Sequence, residues 1–287
     1  MKPYSVDLKS PIGKGANGIV YKGYWNGNLH LPLAIKKLPI SSKARNEIYI
    51  LKTLQNEASP QGTIPQLYHV EKIPGHYEIA MEYISGGTLS QCSAVTGACA
   101  GAGAGVLSEK ILYRILRDLL KTIALCHSKN ILYGDMKLSN LIATQDIGTF
   151  NPYDQPLTTL IKTIDFGLSQ YHNGDFFTKP FGTPTFMAPE IFHYHFSFPA
   201  DIWAIGICMY ILSCGEYPFT TPVGAAAMYN HPMDLRKYIV HTQVPTFREP
   251  RWSHYSKKFK YAIQDLLQFN PEDRPTAIDM LNLNELL

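Results

Sequence analysis

Two loop aspartates and one asparagine are the residues best suited to chemistry: Asp135-Met136-Lys137-Leu138-Ser139-Asn140 and, further on, Asp165-Phe166-Gly167. Carboxylate and amide oxygens are hard donors suited to Mg2+. Each alone is more often a turn or cap residue than a ligand. Upstream lies Gly13-Lys14-Gly15-Ala16-Asn17-Gly18-Ile19-Val20. Glycines at this spacing let backbone N–H groups approach phosphate oxygens. The same G-x-G-x-x-G occurs in dinucleotide folds, where it opens a helix. Here Val20 leads into a strand-like run, which counts against that version, and a purely structural glycine hairpin stays open. Lys36 sits in the apolar run Leu33-Ala34-Ile35-Lys36. Buried without an anion it would be costly. A phosphate or Glu47 could supply that anion, and a lysine facing solvent from an edge strand is the alternative.

These residues need elements to place them. Gly13 to Tyr24 alternates as strands about a glycine turn, and Leu31 to Leu38 and Tyr77 to Ile84 read as further strands. Ser41 and Ser42 can cap a helix with Glu47, Leu51 and Leu54 on one face. Gly86-Gly87 then breaks the pattern. Leu107 to Ser128 is strongly amphipathic, short strands are expected around Leu141 and Ile164, and helical patterns return near Ala200, Met233 and Phe259. The Gly/Ala-rich stretch 93–105 and the polar stretch 145–159 read as inserted loops, the first of them mobile. The run Ile202 to Cys214 is too short to span a bilayer and is expected to be a buried helix.

The order glycine loop, lysine, acid, D-x-K-x-x-N, D-F-G resembles the eukaryotic-type protein kinase family over nearly the whole chain. The pattern continues in Gly182-Thr183-Pro184-Thr185-Phe186-Met187-Ala188-Pro189-Glu190, in Asp201-Ile202-Trp203-Ala204-Ile205-Gly206 and in Asn270-Pro271-x-x-Arg274-Pro275. The resemblance implies an α+β, two-lobed fold: a small β-rich lobe with one main helix (1–84) and a larger, mainly helical lobe (85–287), with an activation segment at 165–190. It implies a kinase of the Ser/Thr branch, because Lys137 follows the base by two residues and Thr183 is present. ATP and Mg2+ would be its cofactors and a protein its substrate.

By the same resemblance Asp135 would be the base, Lys137 would neutralise charge on the moving phosphoryl group, and Asn140 and Asp165 would hold metal. Lys36 would hold the α/β-phosphates and pair with Glu47. That gap, 47 − 36 = 11, is shorter than the family usually shows, so the loop before the helix must be trimmed. Ile12, Gly13, Gly15 and Gly18 would cover the nucleotide. Val20, Ala34 and Ile142 would sandwich adenine, with Met81 as gatekeeper and Glu82-Tyr83-Ile84 as hinge. Glu190 and Arg274 would form a buried ion pair.

The sequence departs from the family where His-Arg-Asp reads Tyr133-Gly134-Asp135. That arginine normally receives an activation-loop phosphate, and Gly134 cannot. Lys179 stands near the usual phosphothreonine position, with Thr178 beside it. Activity independent of activation-loop phosphorylation is therefore expected. A catalytically dead scaffold and a small-molecule kinase of similar fold are the competing functions, the second disfavoured by Thr183 and Ala188-Pro189-Glu190.

The bulk numbers remove other classes. A net charge of +3 without a Lys/Arg block gives no case for nucleic acid. Five cysteines, an odd number lacking a C-x-x-C pair, fit reduced thiols in the cytoplasm better than disulfides or zinc. No signal peptide or membrane segment is expected, and nothing sets an oligomeric state.

Overall fold

The computed structural model describes residues 2–15, 18–26, 28–55, 62–91, 107–147, 158–219 and 244–283. Residues 4–82 hold a five-stranded antiparallel sheet of β1 (Tyr4–Gly15), β2 (Gly18–Trp25), β3 (Asn28–Pro39), β4 (Leu67–Ile73) and β5 (His76–Glu82), in the order β1-β2-β3-β5-β4. Side chains alternate between sheet faces, so register decides which residues meet. Val20 pairs with Lys36, Lys36 with Ile79 and Ala34 with Met81, which puts all five on one face. The opposite face carries a small separate cluster of Tyr4, Leu33, Ile35 and Ala80.

Helix α1 (Ser42–Gln55) starts three residues after β3 ends, which is the trimmed loop expected from the short Lys36–Glu47 gap. Ser41 Oγ accepts from Ala44 N at 3.0 Å, so the cap is the first of the two serines. The helix buries Glu47, Ile48, Ile50, Leu51 and Leu54.

The second half is mainly helical. Helix α2 (Glu109–Ser128) is capped by Ser108. After it come the short strands β6 (Ile131–Leu132), β7 (Leu141–Ala143), β8 (Ile161–Thr163) and β9 (Gln170–Tyr171), with β6 pairing β9 and β7 pairing β8. Helix α3 (Pro199–Cys214) buries all but two of its residues, the mark of a central core helix rather than a surface one. Helices α4 (Lys257–Leu266) and α5 (Ala277–Asn282) follow. One apolar core runs from the inner sheet face and α1 through α2 and α3 to α5.

Several expectations shift in detail. The first strand begins at Tyr4, well before the glycine loop; the last strand of the sheet ends at Glu82; and β8 stops at Thr163, one residue short of Ile164. Strand β4 and helix α5 were not expected from the sequence. Met233, the stretch 93–105 and most of 145–159 lie outside the described residues. Cys126, Cys208 and Cys214 are free and buried, and burial pushes the Cys214 thiol up to about 12.

Candidate active site

Lys36 projects from β3 toward α1 and is 7 % exposed. Its Nζ lies 2.5 Å from Glu47 Oε1 and 2.8 Å from Asp165 Oδ1. Burial alone would lower the pKa of this ammonium, but the charges of Glu47 and Asp165 outweigh it and hold the lysine above its usual range. Two acids share one cation, and their environments separate them. Burial, helped by the charge of Asp165, raises Glu47. Asp165 is also penalised by burial, yet Lys36 and the backbone N–H of Gly167 draw it below the usual carboxylate range.

Asp135 stands on the segment between β6 and β7 and is 7 % exposed. Its Oδ2 lies 2.7 Å from Lys137 Nζ and 3.2 Å from Asn140 Nδ2, and its Oδ1 accepts from Thr183 Oγ1 at 2.7 Å. Lys137 also donates to Thr183 Oγ1 at 3.0 Å. Asn140 Nδ2 donates to the Asp135 carbonyl at 2.9 Å, and the Asn140 carbonyl accepts from Ile164 N at 2.9 Å. The residue before Asp165 is thus bonded to the residue that anchors Asp135. Asp135, Lys137, Asn140 and Thr183 form one bonded polar set and Lys36, Glu47 and Asp165 another, joined into one site by the backbone bond between Ile164 N and the Asn140 carbonyl.

The remaining predicted positions surround it. Val20, Ala34 and Met81 share the sheet face that carries Lys36, and Ile142 bridges to Thr88 just past the sheet. Glu82 closes β5, with Ile84 two residues on. Gly13 packs under the Val20 side chain, and Gly15 pairs with Gly18 across the hairpin. Ile12 is exposed, at 44 %. The loop tip at Ala16 and Asn17 lies outside the described residues. No cluster of three or more His, Cys, Asp or Glu side chains that could hold a metal exists among the described residues. A cation at Asp165 and Asn140 would therefore need oxygens from elsewhere, such as phosphates.

A family model, Protein kinase domain, matches residues 6–284. The chain belongs to the protein kinase family. Relatives of this kinase chain include Serine/threonine-protein kinase 33 of Mus musculus, 28 % identical over 94 % of the chain and 52 % of the relative. Calcium-dependent protein kinase 10 of Arabidopsis thaliana is 28 % identical over 96 % of the chain and 46 % of the relative. Serine/threonine-protein kinase ULK1 of Homo sapiens is 29 % identical over 94 % of the chain and 24 % of the relative. The chain spans about half the length, or less, of these curated relatives.

Further residues support this site. Asp201, at the start of α3, accepts from Tyr133 N at 2.9 Å and Gly134 N at 2.8 Å, and its Oδ2 meets His127 Nε2 at 3.0 Å. It pins the backbone just before the kinase's Asp135. The Tyr133 ring meets Phe166 edge-on at 5.3 Å, and its hydroxyl donates to the Ile164 carbonyl at 2.7 Å. Asn46, beside Glu47, donates to the Ser169 carbonyl at 2.8 Å, and Ser169 Oγ donates to the Tyr133 carbonyl at 2.8 Å. Lys162 of β8 reaches Glu82 at 2.7 Å. Asp201 was visible as part of a motif. Asn46 and Lys162 gave no signal, because their roles arise only when α1, β5 and β8 meet.

Proposed function

We propose that this chain is an active Ser/Thr protein kinase that moves the γ-phosphoryl group of Mg-ATP onto protein hydroxyls and needs no phosphate on its activation segment. The supporting observation is the contact of Thr183 with both Asp135 and Lys137, made while Lys36 already holds Glu47 and Asp165.

In this reading Asp135 orients the substrate hydroxyl and accepts its proton as the oxygen meets the γ-phosphorus. Lys137 offsets charge on the transferred group, and Lys36 fixes the α/β-phosphates. Positioning and electrostatics carry most of the rate, because the protein makes no covalent bond to the phosphoryl group. Asp165 and the amide oxygen of Asn140 are hard donors that fit Mg2+, which when bound would neutralise charge between the β- and γ-phosphates. The inner face with Val20, Ala34, Met81 and Ile142 would take adenine, and the backbone of Glu82 and Ile84 would bond its edge. Ile12 with Gly13, Gly15 and Gly18 would close over it. The lobes would divide after Ile84 (1–84 and 85–287), with the activation segment at 165–190. With Tyr133-Gly134-Asp135 the chain would fall among kinases that lack the phosphate-binding arginine.

The test is turnover of Mg-ATP on a generic basic protein after phosphatase treatment, with Asp135→Asn as control. Retained activity that the substitution abolishes supports the reading. Nucleotide binding without turnover would make the chain a scaffold instead, and a large loss of rate on dephosphorylation would reject phosphate independence.

A further inference from the structure

Gly134 occupies the position of the missing arginine, and its backbone has φ +77°. A Cβ built there would lie 2.4 Å from Cε2 of Phe181, so the ring stands where a side chain would begin. Phe181 lies on the activation segment, two residues before Thr183. Its ring contacts Phe177 at 5.7 Å edge-on and Phe196 at 5.5 Å between centroids. Phe177 and Phe196 are themselves paired by backbone bonds, Phe177 N to the Phe196 carbonyl at 2.9 Å and the reverse at 3.3 Å. The cleft beside Gly134, Phe181, Thr183 and Asp201 has room for about one water.

We propose that Phe181 is a positioning residue that clamps the activation segment to the catalytic loop through Gly134, replacing a phosphate–arginine pair with aromatic packing. This rests on the reading that the chain is active without an activation-loop phosphate. The clamp holds Gly182-Thr183 against Asp135, where the 2.7 Å bond to Thr183 forms. Aromatic contacts of this geometry contribute modestly each, but they are apolar, need no modification and are insensitive to salt. A segment held this way is in place as soon as the chain folds.

The experiment uses phosphatase-treated protein, with hydrogen exchange over 176–187 and separate kcat and KM values for ATP and for a protein substrate. Phe181→Ala is expected to raise exchange in that segment and to lower kcat/KM for the protein substrate by about tenfold or more, since small misplacements near the chemistry are costly. KM for ATP should stay within about twofold, because the clamp does not touch the nucleotide face. Phe181→Leu should recover most of the loss. Should Phe181→Ala fail to fold, Gly134→Ala is the second variant. It displaces the ring from the other side and should raise exchange over the same segment. Unchanged exchange and unchanged kcat/KM in the variants, with an active dephosphorylated parent, would overturn the clamp and leave phosphate independence standing. An inactive dephosphorylated parent would overturn both.

Discussion

Asp135 is bonded at once to Lys137, Asn140 and Thr183, so its orientation is fixed by three side chains. Asp135→Asn keeps the shape and removes the charge and, on the proposed reading, the oxygen that would accept the proton. Steady-state kinetics should show kcat reduced by about 10²-fold or more, with little change in KM for ATP. Lys36 is a different case, because it is buried between two acids. Lys36→Met would leave Glu47 and Asp165 facing one another without a cation, and losing one partner of a buried set costs about 3 kcal/mol or more. A lowered Tm and lost Mg-ATP turnover should appear together. These residues were legible in the sequence because their types are informative wherever they stand: an acid or lysine in an apolar setting demands a partner. Phe181 and Asn46 were not legible. A phenylalanine and an asparagine are ordinary residues, and only the fold shows that one faces a glycine and the other a carbonyl.

At the scale of elements, α1 must stay docked for Glu47 to reach Lys36. The Asn46 bond to the Ser169 carbonyl is one latch, and a second joins Thr53 Oγ1 to the Tyr171 hydroxyl at 3.0 Å. Both tie α1 to the chain just after Asp165. Asn46→Ala should lower kcat about tenfold or less while leaving Tm within a few degrees, as measured by paired kinetics and thermal melts. The sheet has its own tie. Glu78 on β5 is 1 % exposed and meets Lys2 at 2.8 Å, Tyr4 at 2.9 Å, Lys37 at 3.1 Å and His76 at 3.2 Å. Burial would raise its pKa, but these four donors win and hold it at about 2, below its ordinary 4.5. A depressed carboxylate stabilises the fold above its unfolded pKa and loses that contribution as pH falls toward its folded pKa. Wild type should therefore lose stability between about pH 4.5 and 2 more steeply than Glu78→Gln, by about 1–3 kcal/mol in acid melts. Helices α1 to α4 and the inner strands were readable from periodicity. Strand β4 was not, because its residues are only partly buried and its apolar alternation is weak.

For the molecule as a whole, two ion pairs tie distant parts of the chain together. Arg274, just before α5, grips Glu190 with two bonds of 2.6 and 2.8 Å and donates to the carbonyls of Pro199 and Gln268 at 2.9 and 2.7 Å. It joins Glu190 to α3 and the chain leading into α5. Arg274→Met strands a buried Glu190 and should cost about 3–5 kcal/mol in denaturant unfolding. The pair was readable in the sequence only through the family resemblance, since nothing local links residues so far apart. Lys162 and Glu82, which fasten β8 to the end of the sheet, were not readable at all. On the proposed reading, an unphosphorylated chain already holds a working active site. The most direct test of that claim is the initial rate of Mg-ATP turnover on a generic basic protein by phosphatase-treated enzyme, with phosphate content checked by intact mass. The expected result is a rate within about twofold of the untreated enzyme, abolished by Asp135→Asn. A rate that collapses on phosphate removal, or that survives Asp135→Asn, would contradict it.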